Sequence, residues 1–107
     1  MFHKSFFTLC LLFLVSLTLN AAPRQFTVVI DAGHGGNDCG AQGLISYEKN
    51  LTLRYALALG SAIEKNFDNV RVVYTRRTDV FIPLHERADI ANRNKADLFM
   101  SFHINAV

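Results

Sequence analysis

Strand-like and helix-like segments alternate along this chain, and that alternation constrains its fold more than any other feature. Three runs are predicted to be strands, and the first two are β-branched and nearly continuous in apolar character, as in a sheet that is covered on both faces. They are Phe26 to Asp31, Val70 to Thr75 and Asp97 to His103. Each is separated from the next by a segment long enough to hold a helix.

Both intervening segments have the apolar spacing of amphipathic helices. The first is predicted over Asn50 to Asn66, where large apolar residues recur every four positions. The second is predicted to begin at Pro83, because proline suits the first position of a helix. The predicted apolar faces comprise Leu51, Tyr55, Ala58, Leu59, Ala62 and Ile63 in the first helix and Leu84, Ala88 and Ala91 in the second.

The resulting β-α-β-α-β order predicts an α/β fold, with a mostly parallel sheet flanked by helices. Parallel neighbours of this kind are joined by right-handed crossovers. The carboxyl ends of all such strands lie along one edge of the sheet, and ligands bind in the crevice there. Residues that follow the strands, or that begin the helices, are therefore expected to meet at that edge.

A glycine-rich loop presents one histidine directly after the first predicted strand. Gly33, Gly35 and Gly36 surround His34 and let a ligand approach the backbone closely. The loop lacks both the Gly-x-Gly-x-x-Gly pattern and a Gly-Lys-Ser/Thr ending, which argues against a nucleotide site.

Three potential metal ligands are expected at the same edge. His34 follows the first strand, Glu48 directly precedes the first helix, and His103 closes the third strand. Two neutral imidazoles and one carboxylate form a donor set typical of catalytic zinc, which keeps a fourth position for water. Such an ion would acidify that water and polarise a carbonyl for attack. Because a histidine at a strand end is often structural, the residues alone leave zinc binding and a structural role both open.

Neighbouring polar residues also admit two interpretations. Asp31 could orient His34 by accepting its second ring N–H, or could simply form a turn. Asn105 could hydrogen-bond substrate, or could be part of the turn after the third strand.

Other reactive side chains are assigned structural roles. Glu86, Arg87 and His85 are predicted to lie on an exposed helical face, so Glu86 is not favoured as a general base. Cys39 is interpreted as a small buried residue rather than a metal ligand, and no partner within the mature chain offers it a disulfide.

The first 22 residues resemble a secretory signal. A short basic start at Met1–Lys4 precedes an apolar run from Phe6 to Leu19 and small residues at Ala21 and Ala22. We expect cleavage after Ala22 and export to the periplasm or cell envelope, without a stable membrane span afterwards. An uncleaved anchor is the alternative.

The charge distribution points away from nucleic acid as a partner. Eleven Lys and Arg residues stand against nine Asp and Glu residues, a formal net charge of +2. Because the basic residues are scattered, they form no footprint for nucleic acid or for an acidic membrane.

A series of short motifs resembles one known family, the zinc-dependent N-acetylmuramoyl-L-alanine amidases of type 3. The similarity extends from Phe26 to Val107. The motifs are Val29-Ile30-Asp31-Ala32-Gly33-His34-Gly35-Gly36, Asp38, Gly40-Ala41, Gly43, Glu48-Lys49-Asn50, Thr75-Arg76, Asp79, Leu84, Arg87, Ala91-Asn92, Ala96-Asp97 and Ser101-Phe102-His103-Ile104-Asn105-Ala106.

This resemblance implies a peptidoglycan hydrolase that acts in wall turnover and daughter-cell separation. The bond cleaved would be the amide between N-acetylmuramic acid and the L-alanine of the stem peptide, by zinc-activated water. His34, Glu48 and His103 match the family's zinc ligands. The implied fold has six strands, so residues 23–107 would form the N-terminal part of the catalytic domain. The sequence leaves dependence on an activator protein open.

The resemblance also implies that one catalytic residue is missing from this stretch. Members of the family carry a second glutamate, the catalytic base, downstream of the third ligand, and nothing between residues 23 and 107 matches that motif. We therefore expect the base beyond Val107 and an impaired activity for the chain on its own. The alternative is a non-catalytic zinc-binding or muropeptide-binding remnant or regulator in the envelope.

Overall fold

The computed structural model describes residues 24–105, and within them the strands and helices follow the predicted order. The elements are β1 (Phe26–Ala32), α1 (Glu48–Asn66), β2 (Val70–Tyr74), α2 (Leu84–Arg93) and β3 (Leu98–Phe102). The predicted signal segment, residues 1–22, lies outside the described residues.

The three strands form one parallel sheet in the order β2-β1-β3. Val28 of β1 lies opposite Val72 of β2 and Leu98 of β3 in the two parallel ladders. The prediction of an α/β fold with parallel strands is thus confirmed. The central strand is also the most deeply buried, with Val29 and Ile30 both 0% exposed, which explains its unbroken apolar character.

The two faces of the sheet pack against different helices. Val28, Ile30 and Ala32 form the core cluster together with Ala56 of α1. Asp31 has the opposite orientation, because successive side chains of a strand alternate between faces, and it lines a cavity beside α2. His34, two residues beyond β1, therefore follows a strand that is packed on both faces.

The observed helix boundaries differ slightly from the predicted ones. α1 begins at Glu48, two residues before the predicted start, because the N–H of Leu51 already donates to the carbonyl of Tyr47. Pro83 is the extended residue that precedes α2 (φ −58°, ψ 150°), so the helix starts at Leu84. Glu48 is thereby fixed on the first turn of a helix instead of on a loop.

The buried stripe of α1 also differs from the predicted one. Thr52, Ala56 and Gly60 are the residues that face the sheet, whereas Tyr55 is 52% exposed. Small residues let the helix lie close to the sheet, and at Gly60 the Tyr74 ring occupies the space that a side chain would need. Large apolar residues pack at the edges of this stripe rather than along its centre.

Candidate metal centre

Three side chains converge at the carboxyl edge of the sheet. His34 lies two residues beyond β1, Glu48 is the first residue of α1, and His103 directly follows β3. One donor atom from each lies within 4.8 Å of the other two. The chain runs from β1 to β2 on one side of β1 and returns to β3 on the other side, so the cluster lies where the strand order reverses, which is where parallel sheets usually bind ligands.

The spacing of the donor atoms suits a single metal ion. Glu48 Oε1 lies 3.0 Å from His34 Nε2 and 3.6 Å from His103 Nδ1. Two ligands bound at about 2.0–2.1 Å to a tetrahedral zinc ion are separated by about 3.3 Å. The two imidazole rings are nearly perpendicular, at an interplanar angle of 79°. The donor set and its spacing therefore fit zinc.

Asp38 determines which nitrogen of His34 faces the cluster. His34 Nδ1 lies 2.9 Å from Asp38 Oδ2, and a carboxylate oxygen can only accept a hydrogen bond there. The proton of the neutral ring is thus held on Nδ1, which leaves the Nε2 lone pair directed at Glu48. Two lone-pair atoms 3.0 Å apart repel each other unless a proton or a metal cation lies between them.

Backbone amides keep Glu48 ionised and oriented. The N–H of Ala41 donates to Oε2 and the N–H of Ile104 donates to Oε1, each at 2.8 Å. Burial raises the pKa of Glu48, but these two hydrogen bonds and the neighbouring His34 outweigh it and hold the pKa below its usual value. Glu48 is therefore a carboxylate at neutral pH, as a metal ligand must be.

Two glycines make room for the ligand side chains. A methyl group on Gly33 would lie 2.6 Å from His103 Cε1, and one on Gly40 would lie 2.7 Å from both Glu48 Oε2 and His34 Cδ2. Gly40 also has a φ of +65°, which other residues adopt only with strain. The cluster thus requires glycine at both positions.

We expect Gly40→Ala to lower zinc affinity by roughly 10- to 100-fold, similar to the loss of a residue that orients a ligand. The added methyl group would push Glu48 and His34 apart. Gly43→Ala is the matched control, since Gly43 lies on an exposed part of the same loop and has no positive φ. Competition with a chromogenic chelator measures both variants, and equal affinities would contradict the predicted crowding.

The structure gives the other two candidate site residues different surroundings. Asp31 does not contact the His34 ring and forms no turn; it lies within β1 and accepts hydrogen bonds from Thr75, Ser101 and Arg87. Asn105 is exposed and lines a cavity of ≈ 210 Å³ that Glu48 also borders. The orienting role considered for Asp31 belongs to Asp38, which lies next to His34 only because the glycine loop folds back.

The prediction for Arg87 is wrong. Arg87 is 5% exposed, and its Nη1 lies 2.7 Å from Asp31 Oδ1. Leu84, three residues away on the predicted apolar face, is 82% exposed, so the apolar spacing of α2 did not indicate which face is buried. His85 is exposed as predicted, whereas Glu86 is half-buried and pairs with Arg93.

A second buried arginine was also not recognised. Arg76 is 3% exposed and donates to the carbonyl groups of Ala32 and Gly33. Cys39 is half-buried and does not belong to the metal cluster found among residues 24–105. The motif Thr75-Arg76 includes this residue but does not indicate that it is buried, because these two contacts are made with residues more than 40 positions away.

Comparison with known proteins identifies the family. The model of the N-acetylmuramoyl-L-alanine amidase family matches residues 28–107. The sporulation-specific N-acetylmuramoyl-L-alanine amidase of Bacillus subtilis (strain 168) is 40% identical over 79 residues, which are 74% of this chain and 31% of the relative. N-acetylmuramoyl-L-alanine amidase AmiC of Escherichia coli O6:H1 (strain CFT073) is 44% identical over 84 residues, 78% of this chain and 20% of the relative.

A solved structure agrees with this assignment. The catalytic domain of CwlV, an N-acetylmuramoyl-L-alanine amidase from Bacillus (Paenibacillus) polymyxa var. colistinus, superposes with a TM-score of 0.74 at 41% identity. The match covers 78% of this chain and 47% of that domain, so the chain spans about half of the solved domain and less than a third of the two curated relatives. The chain belongs to the family of type 3 N-acetylmuramoyl-L-alanine amidases.

Proposed function

We propose that this chain supplies the metal centre of a zinc-dependent amidase that cleaves peptidoglycan between N-acetylmuramic acid and the L-alanine of the stem peptide. The observation that carries the proposal is the convergence of His34, Glu48 and His103 within 4.8 Å at the ligand-binding edge of the sheet. Relatives named for this activity support it, at 40% and 44% identity.

The three residues would hold the ion as two neutral imidazole ligands and one carboxylate. When bound, zinc would supply Lewis acidity at a substrate carbonyl and lower the pKa of a bound water. Asp38 keeps the donor nitrogen of His34 free of a proton, and the amides of Ala41 and Ile104 keep Glu48 oriented. These contacts pre-organise the ligands before the ion arrives, which favours binding.

The remaining catalytic parts are proposed to lie outside the described residues. Within residues 24–105, Glu48 is the one carboxylate in the cluster, and a ligand that is already coordinated is poorly placed to take a proton from the attacking water. We propose that residues 23–107 form the N-terminal part of the catalytic domain and that a glutamate from another segment acts as the base.

The cellular location that fits this substrate is the periplasm or cell envelope, where peptidoglycan lies. The proposed signal over residues 1–22 would direct export. In the part of the chain that the structure describes, no helix is long and apolar enough to cross a membrane.

Hydrolysis of purified peptidoglycan tests the proposal. The 107-residue chain is compared with a chimera. In the chimera, the chain is followed by the part of the CwlV catalytic domain that it does not match. We expect the chimera to release stem peptides with a free L-alanine amino group, identified by mass spectrometry. The chain alone should be slower by at least about a hundredfold, because a general base contributes that much or more to rate.

One control variant and two possible outcomes separate the alternatives. Glu48→Gln in the chimera should abolish release, which links activity to the cluster in this chain. Equal rates for chain and chimera would contradict a base outside this chain. Binding of peptidoglycan by the chimera without release of peptides would instead select the non-catalytic binding module.

A further inference from the structure

The loop that carries His34 is under backbone strain. His34 has a φ of +64°, a left-handed conformation that is disfavoured for a residue with a side chain. Gly35 and Gly36 also have positive φ values, of 128° and 57°, which glycine adopts readily, so the strain in this loop is at His34. Such a segment keeps one conformation only when its surroundings hold it there.

The carbonyl groups of this loop are held by two buried arginines. Arg87 donates from Nη1 to the carbonyl of Ala32 at 2.6 Å and from Nη2 to the carbonyl of His34 at 2.8 Å. Arg76 donates from Nε to Ala32 and from Nη2 to Gly33, at 3.0 and 2.9 Å. Three successive carbonyl groups, on either side of the metal ligand, are thus bonded to guanidinium groups.

Each arginine is itself fixed by other elements of the fold. Arg87 forms an ion pair with Asp31 and donates from Nε to the carbonyl of Ile82. Arg76 follows β2 and donates to the carbonyl groups of Lys49 and Thr78. Because a guanidinium carries five donors in a rigid plane, it can satisfy several acceptors that diverge from one point, whereas a lysine ammonium cannot reach them all.

The far side of the loop is held independently. Lys49 donates to the carbonyl of Gly36, and Asp79 accepts from the N–H of Gly36, each within 2.9 Å. Lys49 and Asp79 also form an ion pair with each other at 2.8 Å. The loop is thus tied at Gly36 as well. At residues 32–34, Thr52 Oγ1 donates to the carbonyl of Gly33 and the N–H of Gly33 donates to the carbonyl of Phe102, while the carbonyl groups of Ala32 and His34 are bonded by the arginines.

We propose that Arg87 and Arg76 are positioning residues, which fix the strained backbone of His34 so that its Nε2 faces Glu48 and His103. Neither arginine is a metal ligand; both act through the carbonyl groups of the loop. The inference rests on the proposed function, since it concerns the conformation of one proposed zinc ligand. A guanidinium is needed at both positions because the acceptors diverge.

The test uses Arg87→Lys and Arg76→Lys, which keep the positive charges but remove the forked donors. Two readouts are measured in the 107-residue chain: zinc affinity by chelator competition, and the visible absorption of the cobalt-substituted protein, which reports ligand geometry. We expect each variant to bind zinc roughly 10- to 100-fold more weakly, as for other residues that orient a ligand, and to alter the cobalt spectrum.

Two control variants separate positioning from general stability. Arg93→Lys removes a guanidinium from an exposed part of α2, and Ile63→Ala destabilises the core away from the loop. Both should keep the zinc affinity and cobalt spectrum of the unmodified chain. Equal losses in Ile63→Ala would show that stability alone is responsible and would overturn the inference.

The remaining outcomes are also informative. If a folded lysine variant keeps the zinc affinity and cobalt spectrum of the unmodified chain, the positioning role of that arginine is overturned. If Arg87→Lys does not fold, the inference is tested with Arg76→Lys alone. Failure of the unmodified chain to bind zinc or cobalt would contradict the proposed function instead. The two failures are therefore distinguishable.

Discussion

Replacing His34 with alanine is expected to lower the zinc affinity of the chain by about a hundredfold or more. Apparent binding free energies of zinc at sites with four protein ligands are about 10–16 kcal/mol, so one ligand accounts for roughly 3 kcal/mol. At about 1.4 kcal/mol per factor of ten, that loss corresponds to at least a hundredfold. Glu48→Gln should have a similar effect, since an amide keeps the shape but lacks the charge.

His85→Ala is the matched control for this measurement. His85 is an exposed histidine on α2 and does not belong to the metal cluster. The His85→Ala protein should still hold one zinc ion per chain, measured by atomic emission. Its zinc affinity, measured by chelator competition, should be unchanged. Equal zinc contents in the His34→Ala and His85→Ala proteins would contradict the ligand assignment.

The Asp31→Asn substitution is expected to cause the largest loss of stability, about 3–5 kcal/mol at neutral pH. Asp31 is 3% exposed and pairs with Arg87, which is 5% exposed. Removing one partner of a buried ion pair leaves the other charge uncompensated, and this produces the large cost. Urea unfolding followed by circular dichroism measures the change.

The loss should depend on pH in a defined direction. Burial raises the pKa of Asp31, but hydrogen bonds from Ser101, Arg87 and Thr75, with the charge of Arg87, outweigh it and place the pKa below its usual value. A carboxyl group whose pKa is lower in the folded state stabilises the protein above the unfolded-state pKa, near 3.9. That contribution disappears as pH falls through the folded-state value.

Wild type and Asp31→Asn should therefore differ by a constant amount between about pH 5 and pH 7, and the difference should shrink progressively as pH falls below about 4 and through the folded-state pKa. Asp68→Asn, in an exposed turn, should remain within about 0.5 kcal/mol of wild type, as surface substitutions usually do. A difference between wild type and Asp31→Asn that persisted at low pH would mean that the ion pair is not its source.

The sequence by itself determined the order of the elements and the positions of the three proposed ligands. Alternating apolar runs predict β1, α1, β2, α2 and β3 because local periodicity depends on neighbouring residues alone. The parallel arrangement then follows from chain connectivity, and it places His34 and His103 at one edge. Convergence of distant ligands was thus predictable without knowing a single distance.

Only the tertiary structure decided what surrounds those ligands. The pairing of Asp38 with His34 depends on a loop that folds back through positive φ values, and local sequence does not specify that path. The buried state of Arg87 depends on Asp31, which is 56 residues away. An isolated arginine on a helix is ordinarily exposed, because burial of a charge is favourable only when a partner and acceptors are already in place. That partner exists only after the strands and helices have packed, so no local pattern in the sequence indicated that Arg76 and Arg87 are buried against the His34 loop.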